Sequence, residues 1–179
     1  MQNLLKYSFI IIIFAFPFGC ATVISQEIKS RTNPSLSFLD IARDAGSHKG
    51  RTVVWGGEII ECVNKQDGTS LLEVYQKPLD LNDAPDLSSE SEGRFLIKSD
   101  KFLDPYAYRK GRKITVGGEI LGEEIRQIGE VGYRYPVVLS KEIYLWRDTY
   151  FYDTPYPFYD PWWGYPYRSY PYYRHRHHR

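Results

Sequence analysis

The residue with the most definite chemistry is Cys20, which follows Gly19 at the end of a short apolar run. A thiol placed behind a small residue and an apolar stretch resembles the lipid-attachment point of a bacterial lipoprotein signal. The run covers residues 9–18, broken only by Pro17, behind a segment whose single charge is Lys6. A spanning helix needs about 20 apolar residues, so this run is too short to cross a bilayer and reads as an export signal over residues 1–19. Lipid-type signals usually carry Leu three residues before the cysteine, where Pro17 stands here, so an ordinary secretory peptide or an uncleaved anchor competes with the lipid reading. Acylated Cys20 would make outer-membrane lipid the first partner, each buried CH₂ contributing roughly 0.8 kcal/mol. Ala21 stands where lipoproteins kept in the inner membrane typically carry Asp, which points to the outer membrane.

Other chemistry-bearing groups are weaker. Glu58 and Glu119 occupy equivalent places in two similar segments and could act as acid and base if their strands brought them together. The plainer reading pairs each with a neighbouring Arg51, Arg112 or Lys113. Residues 80–92 hold Asp80, Asp83, Asp86, Glu90 and Glu92, but without the alternating ligands and central glycine of a calcium loop. They read as a solvated loop, and no cofactor is expected. His175, His177 and His178 are a candidate interaction site near the end of the sequence, of a kind that binds Zn²⁺ or Cu²⁺. Interleaved Arg174, Arg176 and Arg179 oppose a dication, so no metal is assigned, and the cluster could instead rest on anionic lipid or cell-wall polymer. Lipidation of Cys20 leaves Cys62 without a disulfide partner, a small hydrophobe rather than a reactive thiol. His48 is the only histidine outside the tail, and no phosphate loop, nucleophile elbow or zinc-protease helix is present. No catalytic residue is assigned.

The chain has 179 residues, 23 basic and 22 acidic, and 42% hydrophobic, the composition of about one globular domain. That near-neutral balance lacks the basic footprint of a nucleic-acid binder.

These residues must be positioned by a β-rich body. Residues 20–47 mix Ser, Thr, Asn and Pro34 and read as a tether, with a turn or two of helix about Leu36, Phe38, Leu39 and Ile41. From residue 48 to 147, five β-type runs are expected, at 52–62, 69–76, 93–99, 114–121 and 137–146. Asp104-Pro105 provides a cap and a proline that start a short helix ending near Gly111. The segment 50–59 repeats as 111–120, and the shared Gly-Gly suits strands that curl sharply. Five strands with one short helix between the third and fourth describe an all-β, OB-like five-stranded barrel. Its core is expected from Val53, Trp55, Ile59, Leu72, Val74, Phe95, Ile97, Ile114, Val116, Ile120, Val138 and Ile143. Residues 148–179 differ in kind. Between 150 and 173 lie 13 of the 29 aromatics and five prolines, a low-complexity tail expected to be extended or disordered.

Taken in order, Val54-Trp55-Gly56-Gly57, Leu71-Leu72-Glu73-Val74, Pro78-Leu79-Asp80, Gly93-Arg94-Phe95-Leu96, Phe102-Leu103-Asp104-Pro105, Ile114-Thr115-Val116-Gly117-Gly118 and Leu145-Trp146 make the chain resemble the Slp family of outer-membrane lipoproteins. The resemblance covers about residues 20–147 and leaves the tail outside. It implies a lipid-anchored, periplasm-facing envelope protein, with expression linked to starvation or stress, and it brings no catalytic residues. Function is therefore expected to be structural or partner-binding, the partner an envelope protein or peptidoglycan and not nucleic acid. The alternative is a periplasmic module for cell-wall oligosaccharide, since OB-type barrels commonly bind such chains on one face.

Overall fold

The computed structural model describes residues 22–147. The export signal, Cys20, the aromatic tail and His175, His177 and His178 lie outside the described residues.

Five strands form the body: β1 (Thr52–Asn64), β2 (Ser70–Lys77), β3 (Arg94–Ser99), β4 (Lys113–Ile128) and β5 (Val131–Leu145). They close into a barrel in the order β1-β2-β3-β5-β4, antiparallel except where β3 meets β5 in parallel. This strand order is that of the expected OB type, and closure leaves no open sheet edge.

β1 serves two neighbours. Its first half pairs with β4 and its second with β2, and Gly56, Gly57 and Glu58 pair with both. A strand shared in this way must curl, and the repeated Gly-Gly lets it. A Cβ on Gly57 would collide with the Tyr75 carbonyl of β2, and one on Gly118 with the Leu139 carbonyl of β5. The repeat thus marks two places where backbone meets backbone more closely than any side chain permits.

Eleven of the twelve expected core residues are buried in one cluster, and Ile143 packs against it half-buried. The cluster also takes Phe38, Ile41 and Ala45 from the stretch expected to be a tether. That stretch is built into the domain instead. Helix α1 (Gln26–Ser30) is capped by Ser25, and α2 (Phe38–Arg43) by a reciprocal pair in which Ser37 Oγ accepts from Asp40 N while Asp40 Oδ2 accepts from Ser37 N. A 3₁₀ turn (Gly46–His48) leads into β1. Phe38 meets Trp55 and Phe95 edge to face at centroid distances of 4.8 and 6.1 Å, which a solvent-swept linker could not offer.

Two other expectations change. No helix forms between β3 and β4. Asp104 caps Tyr106 N and one turn closes from Tyr108 N to Asp104 O, but Gly111 N then bonds Ile59 O, drawing the chain into β-structure before a second turn can form. The fourth and fifth strands are longer than expected, meeting in a hairpin whose turn, Gly129-Glu130, lies between paired Ile128 and Val131. Gly129 adopts φ 61°, the left-handed region that tight hairpin turns require.

Candidate functional site

In OB-type barrels the outer face of strands 2 and 3 is the usual ligand platform. Here Leu71 and Glu73 of β2 and Arg94 and Leu96 of β3 share that face. β5 covers it. Tyr135 and Val137 bury against Leu71 and Leu96, with Tyr133 and Ile128 at the margin. The Tyr135 hydroxyl donates to Glu73 Oε1 at 2.9 Å, and Arg94 Nη1 donates to the same oxygen at 2.8 Å. The Tyr133 hydroxyl accepts from Arg94 N at 3.0 Å, and the two tyrosine rings stand edge to face. Burial pushes the Tyr135 phenol up, and its bond to Glu73 adds to this; Glu73 also raises the Arg94 guanidinium. The group is therefore a neutral phenol and a closed ion pair, which holds no free base. The alternation Val131, Tyr133, Tyr135, Val137 is the signal that could have revealed this cover, but the intervening Gly132, Arg134 and Pro136 resemble a loop.

A second face is built on β4. Gly117 leaves room for α1: a Cβ there would lie 2.7 Å from Ile28 Cγ2 and 3.0 Å from Ile24 Cγ2. Ile24 is fully buried, and Ser25 N donates to Glu142 Oε2 of β5 at 2.8 Å. Gly56, on the adjoining strand, similarly admits Leu79 and Pro85 of the loop after β2. Lys29 of α1 pairs with Asp83 of that loop at 2.6 Å, tying the two covers together. Thr115 Oγ1 donates to Asp83 O and accepts from Trp146 Nε1. The first and last described segments are thus fixed on one stretch of β4, at Gly117 and Thr115.

The other sequence candidates do not converge. Because β1 and β4 run antiparallel, Glu58 faces Lys113 and Glu119 faces Thr52, at opposite ends of the ladder; Glu119 lies 3.8 Å from Lys141. Of the acidic residues in 80–92, Asp80 and Asp86 turn inward on their own loop, while Asp83 pairs with Lys29. Asp80 accepts from Asn82 N and Ala84 N, and Asp86 from Ser88 and Ser89. Bonds from Ser88 first, then Ser89, hold the Asp86 carboxyl at about 2. Burial, then Asp104 and Glu61, pushes the Cys62 thiol up, away from its reactive form. His48 Nδ1 is buried without a partner, and no serine or cysteine donates to it. Among the described residues no group of three or more His, Cys, Asp or Glu could hold a metal. Open clefts among the described residues include one of about 310 Å³ beside Arg31, Arg51 and Trp55, one of about 580 Å³ beside Pro78, Asp86 and Lys113, and one of about 340 Å³ beside Lys101, Tyr108 and Lys141.

The sequence model of the outer membrane lipoprotein Slp family matches residues 18–174. The chain belongs to that family. The match takes in the aromatic segment, which the sequence blocks left outside. The chain is 31% identical over 169 residues to outer membrane protein Slp of Escherichia coli (strain K12), covering 88% of this chain and 89% of the relative. It is 30% identical over 154 residues to the uncharacterized lipoprotein YeaY of the same organism, covering 86% and 78%. Among solved structures, mitochondrial single-stranded DNA binding protein Rim1 from S. cerevisiae aligns at 14% identity and TM-score 0.34, covering 54% of this chain and 94% of that one. The small single-stranded DNA-binding protein from Streptomyces coelicolor aligns at 11% and 0.36 with the same coverage. It is strand order, not these loose likenesses, that assigns the barrel. As a member of the Slp family the protein is a lipid-anchored lipoprotein of the outer membrane, facing the periplasm, with a role in the cell envelope.

Proposed function

We propose that the protein is attached through acylated Cys20 and acts as a structural or partner-binding module of the envelope, in conditions of starvation or stress. The observation that carries this reading is the closed β2–β3 face, where Tyr135 and Val137 occupy the surface that a small ligand would need. A domain with its platform filled is suited to holding a position or meeting another surface. Cell-wall oligosaccharide, the alternative ligand, would have to use a cleft away from that face. The partner we favour is an envelope protein or peptidoglycan, and the near-equal count of 23 basic and 22 acidic residues argues against nucleic acid.

Labelling cells with a radioactive fatty acid tests the anchor. Wild type is expected to carry label and to sediment with outer membrane, and Cys20→Ser to carry none; an unlabelled wild type defeats the proposal. Retention of the full chain on purified cell wall tests the partner. A protein that passes through removes peptidoglycan from the reading.

A further inference from the structure

β1 changes neighbours part-way along the side that faces away from β4, and one residue falls between them. Thr52 forms a parallel bridge with Thr32, and the β2 ladder begins only where Gly56 meets Lys77. On the opposite side Ile59 N donates to Arg112 O, Ile59 O accepts from Gly111 N, and Arg51 O accepts from Ile120 N, so the odd-numbered residues of this stretch address β4. Peptide groups alternate in direction along an antiparallel ladder. Val54 N–H and C=O therefore point away from β4, where no hydrogen bond to a described residue reaches them. The cleft of about 310 Å³ lies at this place, at the small end of ligand-binding sites. Leu36, Val53 and Trp55 supply apolar wall, and Arg31 and Arg51 supply charge. No acidic side chain lines it, whereas the other two clefts set lysine beside aspartate, Lys113 with Asp80 and Asp86, and Lys101 and Lys141 with Asp100. The Arg51 side chain is exposed and bonds no described residue. Arg31 holds only Glu27, in an exposed pair that water and salt weaken.

We infer that this cleft binds a short, extended, acidic peptide segment of an envelope protein, pairing it main chain to main chain with Val54 and holding one of its carboxylates on Arg51. The inference rests on the partner-binding role proposed above and names its site and its chemistry. One residue of an extended chain offers an acceptor and a donor at the spacing of the Val54 N–H and C=O, which is how a strand is added to a sheet. Main-chain pairing of this kind supplies affinity without regard to sequence. Selection then falls to side chains: the apolar wall takes one beside the paired residue, and the Arg51 guanidinium takes a carboxylate through two parallel N–H···O bonds, a geometry that favours it over a neutral amide. A neutral sugar would leave the guanidinium without its counter-charge. The barrel's usual platform is filled by β5, so a partner that docks here leaves that seal intact.

The test uses the full mature chain in detergent, with acetyl-Thr-Val-Glu-Val-amide, its Gln counterpart and the all-D form of the Glu peptide as probes. Binding is followed through the backbone amide resonances of the isotope-labelled protein. At millimolar concentration the L-Glu peptide is expected to shift Val54 and its neighbours in β1. Arg51→Gln, a change at an exposed side chain, should weaken binding by about tenfold or more and leave the melting temperature unchanged. The Gln peptide should lose as much against wild type and nothing further against Arg51→Gln, and the D-peptide should not bind. Equal binding by the two enantiomers, equal affinity of wild type and Arg51→Gln, or a Glu peptide that leaves Val54 unmoved each overturns the inference. So does purified cell wall that retains wild type, releases Arg51→Gln and displaces the Glu peptide, since the cleft would then hold a cell-wall fragment. Fatty-acid label is scored on the same preparation. A labelled protein that binds no peptide sinks the cleft site and leaves the anchor, whereas an unlabelled protein that binds sinks the anchor and leaves the site.

Discussion

Tyr135 donates its hydroxyl to Glu73 at 2.9 Å, across a pairing in which β5 reaches over β3 to a residue of β2. The bond joins strands that are not neighbours in the barrel and seals the outer face between them. Arg94 neutralises the same carboxylate, so the seal is polar at its centre and apolar around it.

Removing the hydroxyl alone should weaken the fold. Tyr135→Phe keeps the ring and loses a bond to a charged acceptor, at a cost of about 1–2 kcal/mol given the partly exposed Glu73. Tyr135→Ala also opens the apolar cover, costing about 3–5 kcal/mol. Urea unfolding measures both, and the alanine variant should bind a hydrophobic dye through exposed Leu71 and Leu96. Equal stability of wild type and Tyr135→Phe would mean the bond contributes nothing.

Gly57 and Gly117 should differ in what they tolerate. Gly57→Ala sets a methyl against the Tyr75 carbonyl, a backbone atom that cannot step aside, and should cost about 1–3 kcal/mol or more. Gly117→Val instead meets Ile28 and Ile24 side chains, so it should lift α1 while the barrel holds. Limited proteolysis should then cut residues 22–36 faster in Gly117→Val, with little change in the unfolding midpoint of the strands. Cleavage at the wild-type rate would show that α1 is not held there.

Acid should loosen the loops before it opens the barrel. The Asp86 carboxyl ionises at about 2 when folded against an ordinary 3.8, so its stabilisation is fully present above 3.8 and is lost as pH falls toward 2. Hydrogen bonds lower Asp40, Asp44 and Asp67 in the same direction. Melting temperature should therefore decline between about pH 4 and pH 2, and Asp86→Ala should make that decline shallower. An identical slope in the variant would remove Asp86 from the account.

Cys62 should react slowly. Its thiol is held above the ordinary range by burial and by Asp104 and Glu61, so little thiolate exists near neutral pH. Alkylation of the folded protein is expected to lag well behind that of the urea-unfolded chain. Equal rates would show an open, unperturbed thiol.

Much of the barrel could be read from the chain because β-branched residues at period two, bounded by turn residues, leave few other options. Val53, Trp55, Ile59, Leu72 and Val74 announce their own burial. Residues 122–136 do not, because most of them face water and those that reach cover, Ile128, Tyr133 and Tyr135 among them, are spaced among polar neighbours, so local composition looks like a loop. The same holds for residues 22–48, where Ile24, Phe38, Ile41 and Ala45 are sparse among polar neighbours. Their burial depends on surfaces made by strands far along the chain.

The amino-acid order alone determined the lipid-type signal expectation at Cys20, the five β runs, the twelve-residue core and the family likeness, since each is a short-range pattern of side-chain type. Only the tertiary structure decided that Glu58 and Glu119 stand apart, that β5 fills the ligand platform, and that Ile24 and Trp146 are fixed on β4. The reason is register: which residues meet across a closed sheet is set by pairing between strands distant in the chain, and no local pattern records it.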